Sequence, residues 1–364
     1  MSSIRSSSLL AIALATALGV SACAEIGEPN LGERVSATSS TVVPDANEDD
    51  EAETEVVSAD VSSVFSPPRP DGYVPGVLAS LGTTLVLVEG ESITDLGERF
   101  PGAPIERVVD DFLGGIVAQL EGDIVQWLPA GGAAPTPVSA NNGRLLDAGF
   151  IDDTLAVQVF VEVPDGIDRI KLVDGEREAF TRLEEGASVV AFSSSNGIQA
   201  VAIGDNACGS LAFFNTSGQR VDLGGPADPE CPVPRRPQFG AVAMSPGGEV
   251  VAYTEVTYRE DGLPASSVLT VLELESGSVL FNGPVGSPGE QIESLSYDGR
   301  RVTFLRTGET GREVGLVTVA DQVETIIPGL AGVQDVGFAR LPLLLAEPVE
   351  PGDEPEPEPT AEDN

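Results

Sequence analysis

The sequence predicts an all-β chain closed into a six-bladed β-propeller, with a seven-bladed ring as the alternative. Three observations carry this expectation. A strand–turn–strand unit, clearest in AVAMSPGGEVVAYTE over 241–255, recurs in weaker copies along most of the chain. The copies are spaced by about 40 to 52 residues, the length of a four-stranded propeller blade. Gly (41) and Pro (28) are abundant and long helical patterns stop after the first 25 residues or so, as many short strands joined by turns require.

The chain begins with Arg5 and an apolar run from Leu9 to Val20. At 12 residues that run is too short for a permanent membrane span and has the form of an export signal. It ends in Val20-Ser21-Ala22-Cys23, which resembles a bacterial lipobox. The resemblance implies a signal peptide over 1–22, cleavage before Cys23, and diacylglycerol on the Cys23 thiol. The alternatives are an ordinary cleaved signal with a chance cysteine, or a structural Cys23. Residues 23–72 are rich in Ser, Thr, Pro, Asp and Glu and read as an acidic tether. Residues 348–364 form a Pro/Glu-rich tail that cannot bury enough surface to fold.

Between these arms, 73–347 holds the repeat. Aligned on the turn, the first strand of each copy falls at 108–113, 145–151, 189–193, 241–245, 292–296 and 334–339. A large residue precedes each turn (Phe112, Phe150, Phe192, Met244, Leu295, Phe338), and the residue before it is small in all copies but one. Strand side chains alternate faces, so this phasing suits closely stacked sheets. The turns themselves carry Gly114-Gly115, Asp152-Asp153, Asn196-Gly197, Gly247-Gly248 and Asp298-Gly299, residues that tolerate positive φ. Five full blades follow, and a sixth is shared between the chain's ends. Its expected parts are two strands at 334–339 and 343–346 and two more at 84–89 and 92–96, with 77–80 unassigned. Ser245-Pro246-Gly247-Gly248 and Ser296-Tyr297-Asp298-Gly299 each match all but one residue of the S-P-D-G turn of the TolB-like propellers, which this region resembles. That resemblance implies a non-catalytic binding module of the cell envelope.

Composition excludes several functions. The net charge of -39, from 58 acidic and 19 basic residues, argues against nucleic acid as a partner, since phosphate binding needs a basic stripe. Histidine is absent. That removes Ser-His and Cys-His nucleophile pairs, His-ligated metals and the usual general base near neutral pH. No catalytic, metal or cofactor site is therefore assigned.

Four constellations remain. Cys208 lies in the hairpin between the second and third strands of blade three, and Cys231 in the connection to blade four. Both emerge on one face of a propeller, which favours a disulfide in an exported protein. Two separate thiols or a metal pair are the alternatives. The same face gathers Arg235, Arg236, Arg259, Arg306 and Arg312, with Tyr258 placed to stack, into a candidate surface for an anion or an acidic partner. Glu260, Asp261, Glu309 and Asp228 dilute that patch, so charged loops alone also account for it. On the innermost strands, Asp110, Glu293, Asp147 and Asp335 form a polar axial channel, or else a cation site or a glycosidase pair. The single Trp127 reads as packing, and the Gly-rich 131–134 and 223–226 lack the Lys and Ser/Thr of a phosphate loop.

The expected protein is a monomeric, membrane-tethered extracytoplasmic lipoprotein. Its propeller is expected to bind an envelope protein or an anionic ligand without catalysis. The competing expectations are a carboxylate-dependent hydrolase or lyase of envelope glycans, and a solute- or ion-binding propeller.

Overall fold

A computed structural model of the chain describes residue 70 and residues 72–346, other than 133, 139–142, 151–156, 196, 205–208, 224–238, 260–263, 287–288 and 309–310. The chain builds six four-stranded antiparallel sheets. It opens with β1 (Gly76–Leu81), β2 (Thr84–Glu89) and β3 (Ser92–Gly97). Blade one is β4 (Ile105–Asp110), β5 (Ile116–Leu120), β6 (Ile124–Leu128) and β7 (Thr136–Pro137). Blade two is β8 (Leu145–Phe150), β9 (Val157–Val163), β10 (Gly166–Lys171) and β11 (Arg177–Arg182). Blade three is β12 (Ser188–Ser194), β13 (Ile198–Gly204), β14 (Ser210–Asn215) and β15 (Arg220–Val221). Blade four is β16 (Phe239–Met244), β17 (Val250–Tyr258), β18 (Pro264–Glu273) and β19 (Val279–Pro284). Blade five is β20 (Gln291–Tyr297), β21 (Arg301–Gly308), β22 (Gly311–Thr318) and β23 (Val323–Ile327). The last strand, β24 (Asp335–Ala339), pairs with β1 and completes blade six in the order β24-β1-β2-β3.

Six blades are confirmed, but the closure differs from expectation. Blade six takes one strand from the C-terminal side and three from the N-terminal side, not two and two. The unassigned 77–80 is its second strand, paired with β24 from Gly76↔Ala339 to Ser80↔Asp335. That ladder occupies the edge which 343–346 needed. The chain beyond Pro342 instead binds turns of blade one, where Leu344 N–H donates to Gly114 O at 2.8 Å. Partly buried Leu343 and Leu345 plug the seam between blades six and one.

The turn chemistry explains why the strands stop where they do. At 245–250, Ser245 N–H donates to Val250 O at 2.8 Å, Ser245 O accepts from Gly248 N–H at 3.0 Å, and Ser245 Oγ accepts from Val250 N–H at 3.0 Å. Gly248 takes φ +81°, a conformation that costs L-residues energy. In blade five Asp298 accepts from the N–H groups of Arg300 and Arg301, which fixes the equivalent turn. In five of the six blades the inner pair carries a register shift near the start of the first strand, as between Ile105/Arg107 and Leu145/Asp147. Such bulges increase twist and bend the strand.

The core lies between blades. Each of six buried clusters joins two neighbours, and together they close the circle. The seam of blades two and three is the most aromatic. Phe160 is fully buried there, with ring centroids 4.8 Å from Phe192 and 5.2 Å from Phe180. Phe160→Ala is expected to lower unfolding free energy by about 3–5 kcal/mol, because the opposed sheets cannot collapse onto the gap. Urea denaturation checks this.

Candidate functional site: a loop face and an axial cluster

In every blade the second-to-third strand hairpin and the connection to the next blade emerge on one face, here called the loop face. The first-to-second strand turns emerge on the other. β1 starts on that opposite face, since Gly76 pairs with Ala339 at the end of β24. Tyr73 Oη donates to Ala339 O at 3.0 Å, so the chain enters β1 beside the end of β24, away from the long loops.

On the loop face, Arg306 is largely buried among carboxylates. It lies 2.8 Å from Glu313, 3.2 Å from Glu324 and 3.8 Å from Glu290. Arg312 pairs with Glu293 at 3.0 Å and donates to Gln334 at 2.7 Å. Both guanidiniums are already neutralised, so they brace blade five and do not present themselves to an anion. Tyr258 is half-buried at the end of the β17–β18 ladder, and Arg259 just beyond it is exposed. Cys23, Cys208, Cys231, Arg235 and Arg236 lie outside the described residues. A groove of about 240 Å³ opens on this face between blades two and three, lined by Arg144, Val163, Pro164, Leu183 and Val189 among others.

Along the axis, three of the four expected acids are brought together and buried. Each holds a backbone N–H of a neighbouring blade. Asp335 accepts from Val108 N–H at 3.0 Å, and Asp147 from Ser194 N–H at 2.8 Å. Asp110 accepts from Arg340 N–H at 3.1 Å and from its guanidinium at 2.8 Å. Two serines do the same work: Ser193 Oγ accepts from Met244 N–H and Ser296 Oγ from Phe338 N–H. These bonds tie adjacent inner strands, which run parallel and share no ladder. Glu293 is not part of the cluster, because it faces Arg312. The space left between these side chains is about 30 Å³, roughly enough for two waters. Among the described residues no group of three or more His, Cys, Asp or Glu is placed to hold a metal ion.

Sequence reasoning missed Arg340, whose guanidinium lies over the Phe112 ring at 4.3 Å. Phe112 takes φ 59° in the blade-one turn, an unusual conformation for a bulky residue. The turn is held by Asp111, which accepts from Leu113 N–H, Gly115 N–H and Trp127 Nε1 at 2.7–2.9 Å. The sequence signal for Arg340 was a basic residue directly after the last inner strand. For the serines it was a small hydroxyl at the axial end of that strand.

Burial pushes the Asp110 carboxyl up to about 6, against the pull of Arg340. Burial also raises Asp335, against the charge of Arg107. A carboxyl whose folded pKa exceeds its unfolded value of 3.8 holds a proton that the unfolded chain has lost. These two groups therefore favour folding most at low pH, and the Asp110 contribution falls as pH rises through about 6. Chemical denaturation should show stability increasing on the order of 1–2 kcal/mol from pH 7 to pH 5. Asp110→Asn should flatten most of that slope.

The fold and this axial arrangement define a six-bladed β-propeller. Among solved structures it is similar to a chain of the nidogen/laminin complex, with a TM-score of 0.54 and 9% identity, covering 74% of this chain and 100% of that one. It is also similar to TolB from Acinetobacter baumannii, with a TM-score of 0.52 and 12% identity, covering 74% of this chain and 68% of that one. At such identities the likeness shows the fold alone. No family model matches the sequence. No curated protein matches it either.

Proposed function

We propose that this chain is a lipid-anchored, extracytoplasmic propeller that binds a protein partner through its loop face and catalyses no reaction. The observation that carries this reading is the opposition of the two faces. The described chain enters β1 on the face away from the long loops, so the connection to an anchor at Cys23 does not start among them. Loops held on a rigid ring are the usual place for recognition. The propeller in the nidogen/laminin complex belongs to an assembly with another protein, which supports a binding role for this architecture. The absence of histidine and the structural use of the axial acids support a role without catalysis.

The test compares the intact protein with Cys23→Ala in fractionated cells, followed by crosslinking and pull-down from membranes. The reading expects membrane association and a reproducible protein partner, both lost in Cys23→Ala. Membrane association unchanged by the substitution would overturn the anchor, and anchoring without any partner would overturn the scaffold. In the same framework Cys208 and Cys231 form a disulfide. Thiol alkylation of the exported protein should then find neither cysteine free, and reduction should cost about 3 kcal/mol of stability.

A further inference from the structure

The axial cavity is lined by uncommitted donors as well as by bonded acids. Among the described residues, Arg107 Nε, Arg340 Nε and Ser294 Oγ are buried without a hydrogen-bond partner, and all three residues line this one cavity of about 30 Å³. Arg340 is only 7% exposed. Its guanidinium reaches Asp110 through one amino group and leaves Nε free on the cavity. A buried donor on a charged group costs several times more unbonded than a neutral bond contributes. Two cationic N–H groups and a hydroxyl call for an acceptor, not for a metal ion. The volume, roughly that of two waters, suits an anion of a single atom and is too small for a tetrahedral oxyanion.

The charges around the cavity set when an anion can enter. Arg107 and Arg340 stand against Asp110, Asp147 and Asp335. Asp111 lies behind Asp110 in the blade-one turn, where it accepts from Gly115 N–H. On β20 Glu293 faces Arg312, and β12 and β16 carry no charged residue. With the three lining acids ionised the cavity is net negative and repels an anion. One proton makes it neutral and a second makes it cationic. Burial disposes Asp110 and Asp335 to take those protons. A protonated carboxyl is also one more donor.

We propose that the axial cavity is a halide site, in which chloride is held by the free donors of Arg107, Arg340 and Ser294 and enters together with protons. The protons go to axial carboxylates, so the charge brought in by the anion is balanced within the cavity. By linkage, chloride raises the proton affinity of these acids by the factor by which protons raise the affinity for chloride. The site does not depend on recognition at the loop face.

The test measures the broadening of the chlorine NMR line of sodium chloride by the full chain. Broadening should be strong at pH 5 and about tenfold weaker at pH 8. Arg107→Gln should lower it about tenfold at pH 5, as loss of one bond from a charged donor implies. Gly337→Ala tests the space and leaves every charge in place. Gly337 lines the cavity on the same face of β24 as Asp335, and a Cβ there would meet only Val108 O, at 3.5 Å, an ordinary contact. It should weaken the broadening as much as Arg107→Gln does. Unchanged broadening in either variant, or broadening indifferent to pH, overturns the proposal. No broadening at pH 5 also overturns it and assigns the free donors to water.

Discussion

A chain ending at Gly332, and so lacking β24, is expected to lose cooperative unfolding, whereas one ending at Ala346 should keep its full stability. The difference is the closure of blade six. β24 buries Val336 and Phe338, each worth about 1.5–3 kcal/mol. It also supplies Asp335, which holds Val108 N–H across the seam with blade one. Arg301 of blade five stacks on the Phe338 ring at 5.2 Å and binds Pro75 O, so the same strand fixes the point where the chain enters the ring. Together these losses rival the whole stability of an ordinary domain, about 5–15 kcal/mol, and they bare an unpaired β1 edge. Trp127 is the chain's only tryptophan and packs at the seam of blades one and two, bonded to the blade-one turn, so its fluorescence reports whether blade one stays folded. An unchanged urea midpoint in the shorter chain would show that β24 does not close the ring.

Asp110→Ala is expected to cost about 3–5 kcal/mol, because it leaves the Arg340 guanidinium charged and buried without its partner. Side-chain exposure at this pair is only 8% for Arg340 and 4% for Asp110. The reciprocal change should be milder. In Arg340→Ala the carboxyl, already raised to about 6, can take up a proton and become neutral. That variant should lose about 1–2 kcal/mol, part of it the contact over Phe112. The two also differ in pH response. Stability of Arg340→Ala should rise steeply on acidification from pH 7, while that of Asp110→Ala should lose this dependence. Equal costs with equal pH slopes would mean that the pair is not the coupled unit described.

Much of the fold was legible because turn residues and alternating strands are local signals. The 241–255 unit and the Asp298-Gly299 turn mark their blades unaided. The closure was not legible, since whether 77–80 or 343–346 pairs with β24 depends on contacts some 250 residues apart. Of the aligned large residues, Phe192, Met244, Leu295 and Phe338 all pack toward the preceding blade, though not on one rung. Phe112 instead leaves the strand and packs with Val157 and Leu172. Phe150 and Phe338 pair near the start of the next strand, opposite Val157 and Val77. Phe192 and Leu295 pair deeper, opposite Val201 and Phe304. An offset of two leaves a side chain on the same face, which is why the seam pattern survived the misalignment. The axial acids were found in sequence, but their partners were not, because a backbone N–H on another blade leaves no mark in composition. On the loop face, Arg306 and Arg312 read as available cations until the carboxylates of neighbouring strands were in place.

The most direct test of the account is a face-resolved photocrosslink in intact cells. A photoreactive residue is placed singly at Arg259 or Ala187 on the loop face, or at Gly299 or the exposed Leu113 on the opposite face. The account expects one protein partner captured from the first two positions and none from the others. Capture from the Gly299 and Leu113 positions alone would contradict it and place recognition on the side where the chain enters β1.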